Sequence, residues 1–199
     1  MKDLKLPHRM VLLNHSDPQQ EKIVPEDRMQ NIITFSALVE TILMGKIKFK
    51  EGFLFINDDC PTSHPMINEM LQVIGRSPVN KTLKDWVEDL SVQIPLYLHV
   101  RDNLAENNLL HIDKKTFLGI AYAKKHSLKD PRIVTNFIKY LDDLEVTDET
   151  STRDLLSMIF LQHTELNKIS FLSHDEKNFS ERLNLSSSMR EIINVAFYI

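Results

Sequence analysis

Three lysines alternate with single apolar residues in a pattern suited to binding an anion. Lys46, Lys48 and Lys50 follow one another at a period of two, which is typical of a β-strand. Because successive side chains of a strand point to opposite faces, we expect the three ammonium groups on one side. They could hold a lipid head group or a nucleic-acid phosphate, each lysine contributing about 1 kcal/mol near an anionic membrane. The alternative is a solvated face whose lysines discourage edge pairing.

A second group of polar side chains follows in a turn-rich stretch, and it consists of Asp58, Asp59, Cys60 and His64. Carboxylate, thiolate and imidazole groups are all metal ligands, but their spacing here follows neither a zinc nor a calcium pattern. The composition favours a turn in which carboxylates accept backbone N–H groups. We therefore expect a capped turn and no metal site.

His163 and Glu165 are the residues that best fit general acid–base chemistry, provided that burial shifts their pKa values. Catalysis would also need a pocket and a nucleophile, and no nucleophile, zinc-protease or phosphate-loop motif is present. With four glycines in 199 residues, few positions suit a phosphate cradle. We predict a protein that is not an enzyme and holds no cofactor, with His163 hydrogen-bonded at a helix end. Trp86 is expected in the core rather than on a stacking platform.

Residues 109–122 predict a second hairpin with an excess of apolar surface. Lys114 and Lys115 are placed at its turn, with Phe117 and Leu118 just beyond. Such a hairpin could dip into a membrane interface or contact a second protomer, and an ordinary exposed hairpin is the alternative.

Composition limits the function classes that the chain can belong to. It has 24 basic and 28 acidic residues and a formal net charge of −4, which disfavours nucleic acid as a partner for the whole surface. The single cysteine, Cys60, cannot form an internal disulfide, which fits a reducing compartment. The first residues predict neither a signal peptide nor an anchor. These features favour a cytoplasmic protein, free or peripheral on the cytoplasmic face of a membrane.

The element that must organise these groups is the stretch 151–171. Its apolar residues, 155, 156 and 158–161, occupy nearly every angle of a helical wheel, so a helix here has no broad solvent face. Ser151 predicts its N-cap, with Asp154 in the first turn. About 10 apolar residues are too few to span a bilayer. The stretch therefore predicts a buried central helix inside a mainly α-helical domain.

The remaining elements follow from changes of hydrophobic period. Gly45 ends a heavily apolar helix over 27–44, and a hairpin follows over 46–56. Amphipathic helices are predicted over 66–74, 82–90, 95–108 and 131–144, and two short helices over 176–183 and 188–197. No low-complexity segment divides the chain. We predict one domain over 1–199 of all-α (mainly α) class with two small β-hairpins.

Five sequence stretches resemble the Golgi phosphoprotein 3 family in the same order over roughly 10–171. They are SALVETILMGKIKF, CPTSHPMINEMLQVI, LKDWVEDLS, VRDNLAENNLLHID and RDLLSMIFLQHT. The resemblance implies a helical fold with a buried central helix, and a non-catalytic peripheral adaptor that binds phosphatidylinositol 4-phosphate. It also implies that the second hairpin mediates self-association.

The family's eukaryotic members contact the lipid phosphate with a tryptophan and three arginines. The aligned positions hold Pro25, Thr34, Ile94 and Tyr97, so none of those groups is retained. A multiply charged phosphate requires arginine or lysine, backbone donors or a helix N-terminus. A phosphoinositide would therefore have to be bound by other groups.

A winged-helix DNA-binding regulator is the competing hypothesis from another functional class. Two helix-then-hairpin units with lysines in the hairpins match the order of elements in such proteins. Against this hypothesis, no predicted helix carries arginine, glutamine and asparagine together on one face.

Overall fold

The computed structural model describes residues 1, 3–16, 24–117, 120–144, 150–163 and 192, with the backbone alone at 113–117, 120–125 and 162–163. These residues form a mainly α-helical fold with two small antiparallel sheets. The helices are α1 (Leu6–Asn14), α2 (Glu26–Leu43), α3 (Pro65–Gly75), α4 (Leu83–Gln93), α5 (Leu96–Glu106), α6 (Pro131–Asp142) and α7 (Thr152–His163). The strands are β1 (Ile47–Lys50), β2 (Phe53–Ile56), β3 (Leu110–Phe117) and β4 (Ile120–Leu128).

Helix α7 is the buried central helix that the sequence predicts. Its apolar side chains at 155, 156 and 158–160 are at most 8% exposed. Ser157 is fully buried, and its hydroxyl donates to the Arg153 carbonyl at 2.7 Å. The Ser151 hydroxyl accepts the Asp154 N–H at 3.2 Å, which confirms the predicted N-cap.

Helix α1 is an element that the sequence pattern does not reveal. The hydrophobic pattern marks 9–14 only as a short apolar segment, whereas the structure forms a nine-residue helix packed against α2, α5 and α7. Arg9 and Asn14 are buried along with its apolar residues, so no polar face marks the helical period. Pro7 stands in the first turn, where its missing N–H removes no helical hydrogen bond.

Two ion pairs, one buried and one partly buried, join the first turn of α7 to its neighbours. The Arg9 guanidinium of α1 donates to Asp154 Oδ1 at 2.6 Å, and Tyr140 of α6 donates to Asp154 Oδ2 at 3.1 Å. One residue earlier, Arg153 donates to both carboxylate oxygens of Glu40 on α2, at 2.9 and 2.5 Å. Both oxygens of each carboxylate thus accept a hydrogen bond, from Arg153 in Glu40 and from Arg9 and Tyr140 in Asp154. A charge in the core needs such partners to offset its loss of water.

Glu40 also holds the beginning of α1. Its Oε2 accepts the Leu6 N–H at 3.2 Å, so the carboxylate occupies the positive end of that helix. Burial alone would raise the pKa of Glu40, but hydrogen bonds from Arg153 and Leu6 outweigh it and keep the pKa below its ordinary value.

The helices predicted over 27–44, 66–74, 82–90, 95–108 and 131–144 are confirmed as α2 to α6, together with several of their ends. Thr82 and Asp85 form a reciprocal capping box at α4, and Asp130 caps α6. Gly45, with a φ of +72°, follows α2 in the left-handed conformation. The predicted helices over 176–183 and 188–197 lie outside the described residues, except for Ile192, which is 2% exposed.

The second hairpin differs from its predicted form. Lys114 and Lys115 lie within β3, opposite Lys124 and Ala123, and not at a turn. The strands pair from Leu110 with Leu128 to Phe117 with Ile120, with a register shift after Lys115. This ladder of cross-strand hydrogen bonds outweighs the local turn signal of Asp-Lys-Lys.

One hydrophobic core draws side chains from every described helix and from the first hairpin. Among the described residues, no helix combines the length and the apolar character needed to cross a bilayer.

Replacing Arg153 with methionine is expected to destabilise the fold by about 3 kcal/mol at pH 8, the low end for a broken buried pair because Arg153 is partly exposed. The variant leaves the Glu40 carboxylate buried without its main partner, so protonation of Glu40 should reduce the loss at pH 5. Urea unfolding, monitored by circular dichroism, measures the free energy of unfolding of both proteins at pH 8 and at pH 5.

The control for this prediction is the double variant Glu40→Gln with Arg153→Met, which removes both charges. It should be more stable than the single variant at pH 8. Equal stability of the two proteins would show that the buried charge is not the cause of the loss.

Candidate functional site

The first hairpin exposes two cations and two aromatic rings on one face, which we call the outer hairpin face. It consists of Lys48 and Lys50 of β1 and Phe53 and Phe55 of β2. The register places Lys48 opposite Phe55 and Lys50 opposite Phe53. The two rings are 41% and 36% exposed, a high value for large apolar side chains.

The opposite face of the hairpin anchors it to the core. Ile47 and Leu54 are each 1% exposed, as the alternation of a strand pair requires. Glu51 and Gly52 both have positive φ, which a two-residue type I′ hairpin turn needs. The Leu54 N–H donates to the Lys81 carbonyl at 3.1 Å, so the chain before α4 covers part of the free edge of β2. The outer hairpin face is therefore held on a rigid support.

Lys46 does not belong to the outer hairpin face, which corrects the prediction of three lysines in a row. It precedes β1, and its ammonium donates to Asp58 Oδ2 at 2.5 Å and to the Cys60 carbonyl at 2.9 Å. Its side chain is only 13% exposed. Lys46 therefore ties the hairpin to the following turn and is not available to an external anion.

The predicted capped turn is present at Asp58. One carboxylate oxygen accepts from Lys46 and the other accepts the Cys60 N–H at 2.9 Å. Hydrogen bonds from Lys46, which has the largest effect, and from Cys60 lower the pKa of Asp58 from 3.8 to about 2. The side chains of Asp58, Asp59 and Cys60 place possible ligand atoms within 4.8 Å of one another, and His64 is not among them.

The same carboxylate acts on the neighbouring thiol. Hydrogen bonding with Asp58 and its negative charge raise the pKa of Cys60. Since a metal binds the thiolate, this effect disfavours Cys60 as a ligand at neutral pH. The geometry therefore suits the turn that the sequence predicts.

The positions aligned with the family's lipid-binding groups are mostly buried. Thr34, Ile94 and Tyr97 are at most 3% exposed, and Pro25 is the N-cap residue of α2. The Thr34 hydroxyl donates to the Gln30 carbonyl of its own helix at 2.8 Å. None of these side chains carries a positive charge that could bind a phosphate.

A cation that the sequence interpretation left without a role lies nearby. The Arg101 guanidinium is centred 5.6 Å from the ring of Tyr97, one turn earlier on α5. It lies 3.6 Å from a Glu26 oxygen and 3.9 Å from an Asp102 oxygen. The two carboxylates balance its charge, so this region has little net attraction for an anion. The signal in the sequence was an arginine at i+4 from an aromatic residue.

The remaining predicted site residues fall into two groups. Trp86 is 2% exposed and is confirmed as a core residue, with the Lys81 ammonium 5.0 Å from its ring centroid. His163 ends α7 with no side chain described, and Glu165 lies outside the described residues.

The second hairpin is described mainly by its backbone. Lys114, Lys115 and Phe117 are placed only in the strand register, and Leu118 lies outside the described residues. Membrane contact or self-association through 109–122 therefore stays a prediction.

A sequence model of the family described as Golgi phosphoprotein 3 (GPP34) matches residues 6–193, from the start of α1 to beyond α7. No curated protein matches the chain.

The Lys46–Asp58 contact predicts an abnormal titration that NMR can measure. Asp58 should titrate near pH 2, and in Lys46→Gln its pKa should return toward 3.8 because the main hydrogen bond is lost. Since the folded-state pKa is depressed, the stabilisation is present above pH 3.8 and is lost as the pH falls toward 2. Lys48→Gln, which removes an outward-facing lysine, is the matched control and should leave the Asp58 titration unchanged.

Proposed function

This chain belongs to the Golgi phosphoprotein 3 family, and on that premise we propose that it is a non-catalytic peripheral adaptor that binds an anionic membrane surface. The observation that carries the proposal is the outer hairpin face, where two exposed lysines stand beside two exposed phenylalanines. Elements that lie in the membrane interface combine cationic and aromatic side chains in this way.

Electrostatic attraction is the first contribution to binding. Each lysine near an anionic leaflet contributes about 1 kcal/mol, so Lys48 and Lys50 together should raise the partition coefficient about thirtyfold. Lys48 has no ion-pair partner among the described residues, and Lys50 lies 3.4 Å from Glu51. The side chains of Lys50 and Glu51 are both at least 75% exposed, so an anionic lipid can compete with Glu51 for the Lys50 ammonium.

Burial of aromatic surface is the second contribution. Phe53 and Phe55 stand on the same face as the lysines, so both rings can enter the interface when the ammonium groups reach the head groups. The core-facing side of the hairpin keeps the rings in place, which lowers the entropy lost on binding.

The proposed binding responds to surface charge and not to one head-group structure. No cation is present at Pro25, Thr34, Ile94 or Tyr97, and the charge of nearby Arg101 is balanced by Glu26 and Asp102. We therefore expect phosphatidylinositol 4-phosphate to bind no better than other anionic lipids at equal charge density.

Vesicle sedimentation tests the role of the lysines. The double variant Lys48→Glu with Lys50→Glu should lose pelleting with phosphatidylserine vesicles, and the wild type should lose it as salt is raised to about 0.5 M, where charges are screened. The control is Lys129→Glu with Lys139→Glu, which changes the net charge equally at two exposed positions flanking or within α6.

Three outcomes would contradict the proposal. Equal loss of pelleting in the control would show that net charge, and not the outer hairpin face, decides binding. Pelleting only with phosphatidylinositol 4-phosphate would exclude the surface-charge mechanism. A salt-sensitive shift of duplex DNA without any vesicle binding would favour the winged-helix alternative.

A tryptophan placed in the hairpin tests entry of the rings into the bilayer. Phe55→Trp should be quenched by bromine-labelled lipid, because the side chain is expected to reach the acyl region. The chain has one native tryptophan, Trp86, which is 2% exposed and should not be quenched in the wild-type protein. Absence of quenching in a variant that still pellets would limit the contact to the head groups.

A further inference from the structure

A cleft of about 360 Å³ lies between α1, α2, α5 and the beginning of α3. This volume is at the low end of the range for small-molecule pockets. Its polar lining includes Lys5, His8, Glu40, His64, His99 and Asn103. No residue of the outer hairpin face contributes to it, so the cleft is separate from the proposed membrane contact.

Lys5 is a partly buried cation that makes no direct ion pair among the described residues. Its ammonium donates only to Met44 Sδ, at 3.6 Å, and it pairs with no carboxylate among the described residues. Glu40 is near, but both of its oxygens are taken up by Arg153. Burial lowers the pKa of Lys5, Glu40 partly offsets this effect, and Arg153 adds to it. A bound anion would supply the missing partner.

Two histidines stand beside Lys5 in an uncharged state at neutral pH. His8 Nε2 lies 3.0 Å from Asn103 Oδ1, and His64 is the residue before α3. Burial lowers the pKa of both imidazoles, and the charge of Lys5 lowers it further, while at His8 the hydrogen bond with Asn103 partly offsets the effect. An anion in the cleft would act in the opposite direction and favour their protonation.

Two helices begin at the cleft, and the Glu40 carboxylate already occupies the start of one of them, α1. The N-cap residues are Lys5 for α1 and His64 for α3, and a proline occupies the first turn of each helix. Because Glu40 accepts the Leu6 N–H of α1, only the positive end of α3, which has no side-chain cap, adds to the attraction for an anion.

The far rim of the cleft carries the opposite charge. Asp102 and Glu106 of α5 are exposed there, and His99 of the same helix lies 3.9 Å from Glu69 of α3. These carboxylates disfavour a polyanion and require the ligand's own charge to lie at the Lys5 end. Between the two ends the wall is apolar, formed by residues such as Met66, Ile67 and Val100.

We propose that this cleft binds a small amphipathic anion. Its singly charged head, a carboxylate, sulfonate or phosphate ester, contacts Lys5, His8 and His64. Its short apolar body lies against Met66 and Ile67 at the start of α3.

Titration calorimetry with three probes tests the chemistry of the ligand. Hexanesulfonate should bind at least about tenfold more tightly than hexylammonium, which has the same chain and the opposite charge, and than sulfate, which lacks the chain. Equal binding of hexylammonium would overturn the charge assignment. Equal binding of sulfate would overturn the apolar contact.

Variants locate the binding site. Lys5→Gln should weaken hexanesulfonate binding about tenfold, while Lys48→Gln with Lys50→Gln, on the outer hairpin face, should leave it unchanged. If Lys5→Gln does not fold, His64→Gln takes its place, since His64 is partly exposed before α3. Unchanged affinity in the folded variant would overturn the proposal.

The pH dependence provides an independent readout. Both organic probes keep their charge between pH 6 and pH 8, so any change reports on the protein. Affinity for hexanesulfonate should be higher at pH 6, because protonated His8 and His64 attract the anion. The Glu40 carboxylate, whose pKa is held below its ordinary value mainly by the hydrogen bond from Arg153, stays ionised over this range. Affinity that does not rise at pH 6 would overturn the proposed charge interaction between the ligand and the two histidines.

Discussion

The structure depends on two adjacent charges at the start of the buried helix. Arg153 binds Glu40 of α2, and Asp154 binds Arg9 of α1 and Tyr140 of α6. An apolar helix with no solvent face has no preferred rotation about its axis, because any side can be buried equally well. Consecutive residues of opposite sign remove this freedom, since each must meet its own partner in a different helix. The ion pairs thus fix the orientation of α7, while the surrounding apolar contacts provide most of the stability.

The position of α1 follows from the same network. Glu40 accepts the Leu6 N–H as well as Arg153, so the first turn of α1 is held against the second half of α2. This contact brings Lys5 and His8 to one wall of the cleft. It also leaves Lys5 without an ion pair in the described part of the chain, because the nearest carboxylate is bound to Arg153. The positive end of the cleft is therefore a consequence of the packing of the core.

The sequence predicts those parts of the fold that depend on local signals. Helix α7, its Ser151 cap, the capping box at Thr82 and the first hairpin each have a periodic pattern or a capping residue within a few positions. Helix α1 was not recognised because its polar residues Arg9 and Asn14 are buried by distant partners.

The candidate sites likewise differ in whether they depend on local signals or on contacts between distant residues. Alternation correctly places Lys48 and Lys50 on one face, but Lys46 turns away to Asp58, twelve residues further on. The cleft joins residues near positions 5, 40, 65 and 100, and no spacing rule connects them. A hairpin face can thus be predicted from one segment, whereas a pocket between helices requires their packing.

The charge of the whole chain gives the outer hairpin face a directional role. The net charge is −4, so an anionic surface repels the molecule as a whole. Screening limits interactions between charges to about 8 Å at physiological ionic strength. Lys48 and Lys50 therefore attract the head groups only when they are near them. Distant carboxylates do not cancel this attraction, because they are screened. A negative molecule with one cationic and aromatic face is attracted in one orientation and repelled in most others. Binding through this hairpin would therefore orient the protein on the membrane as well as hold it there.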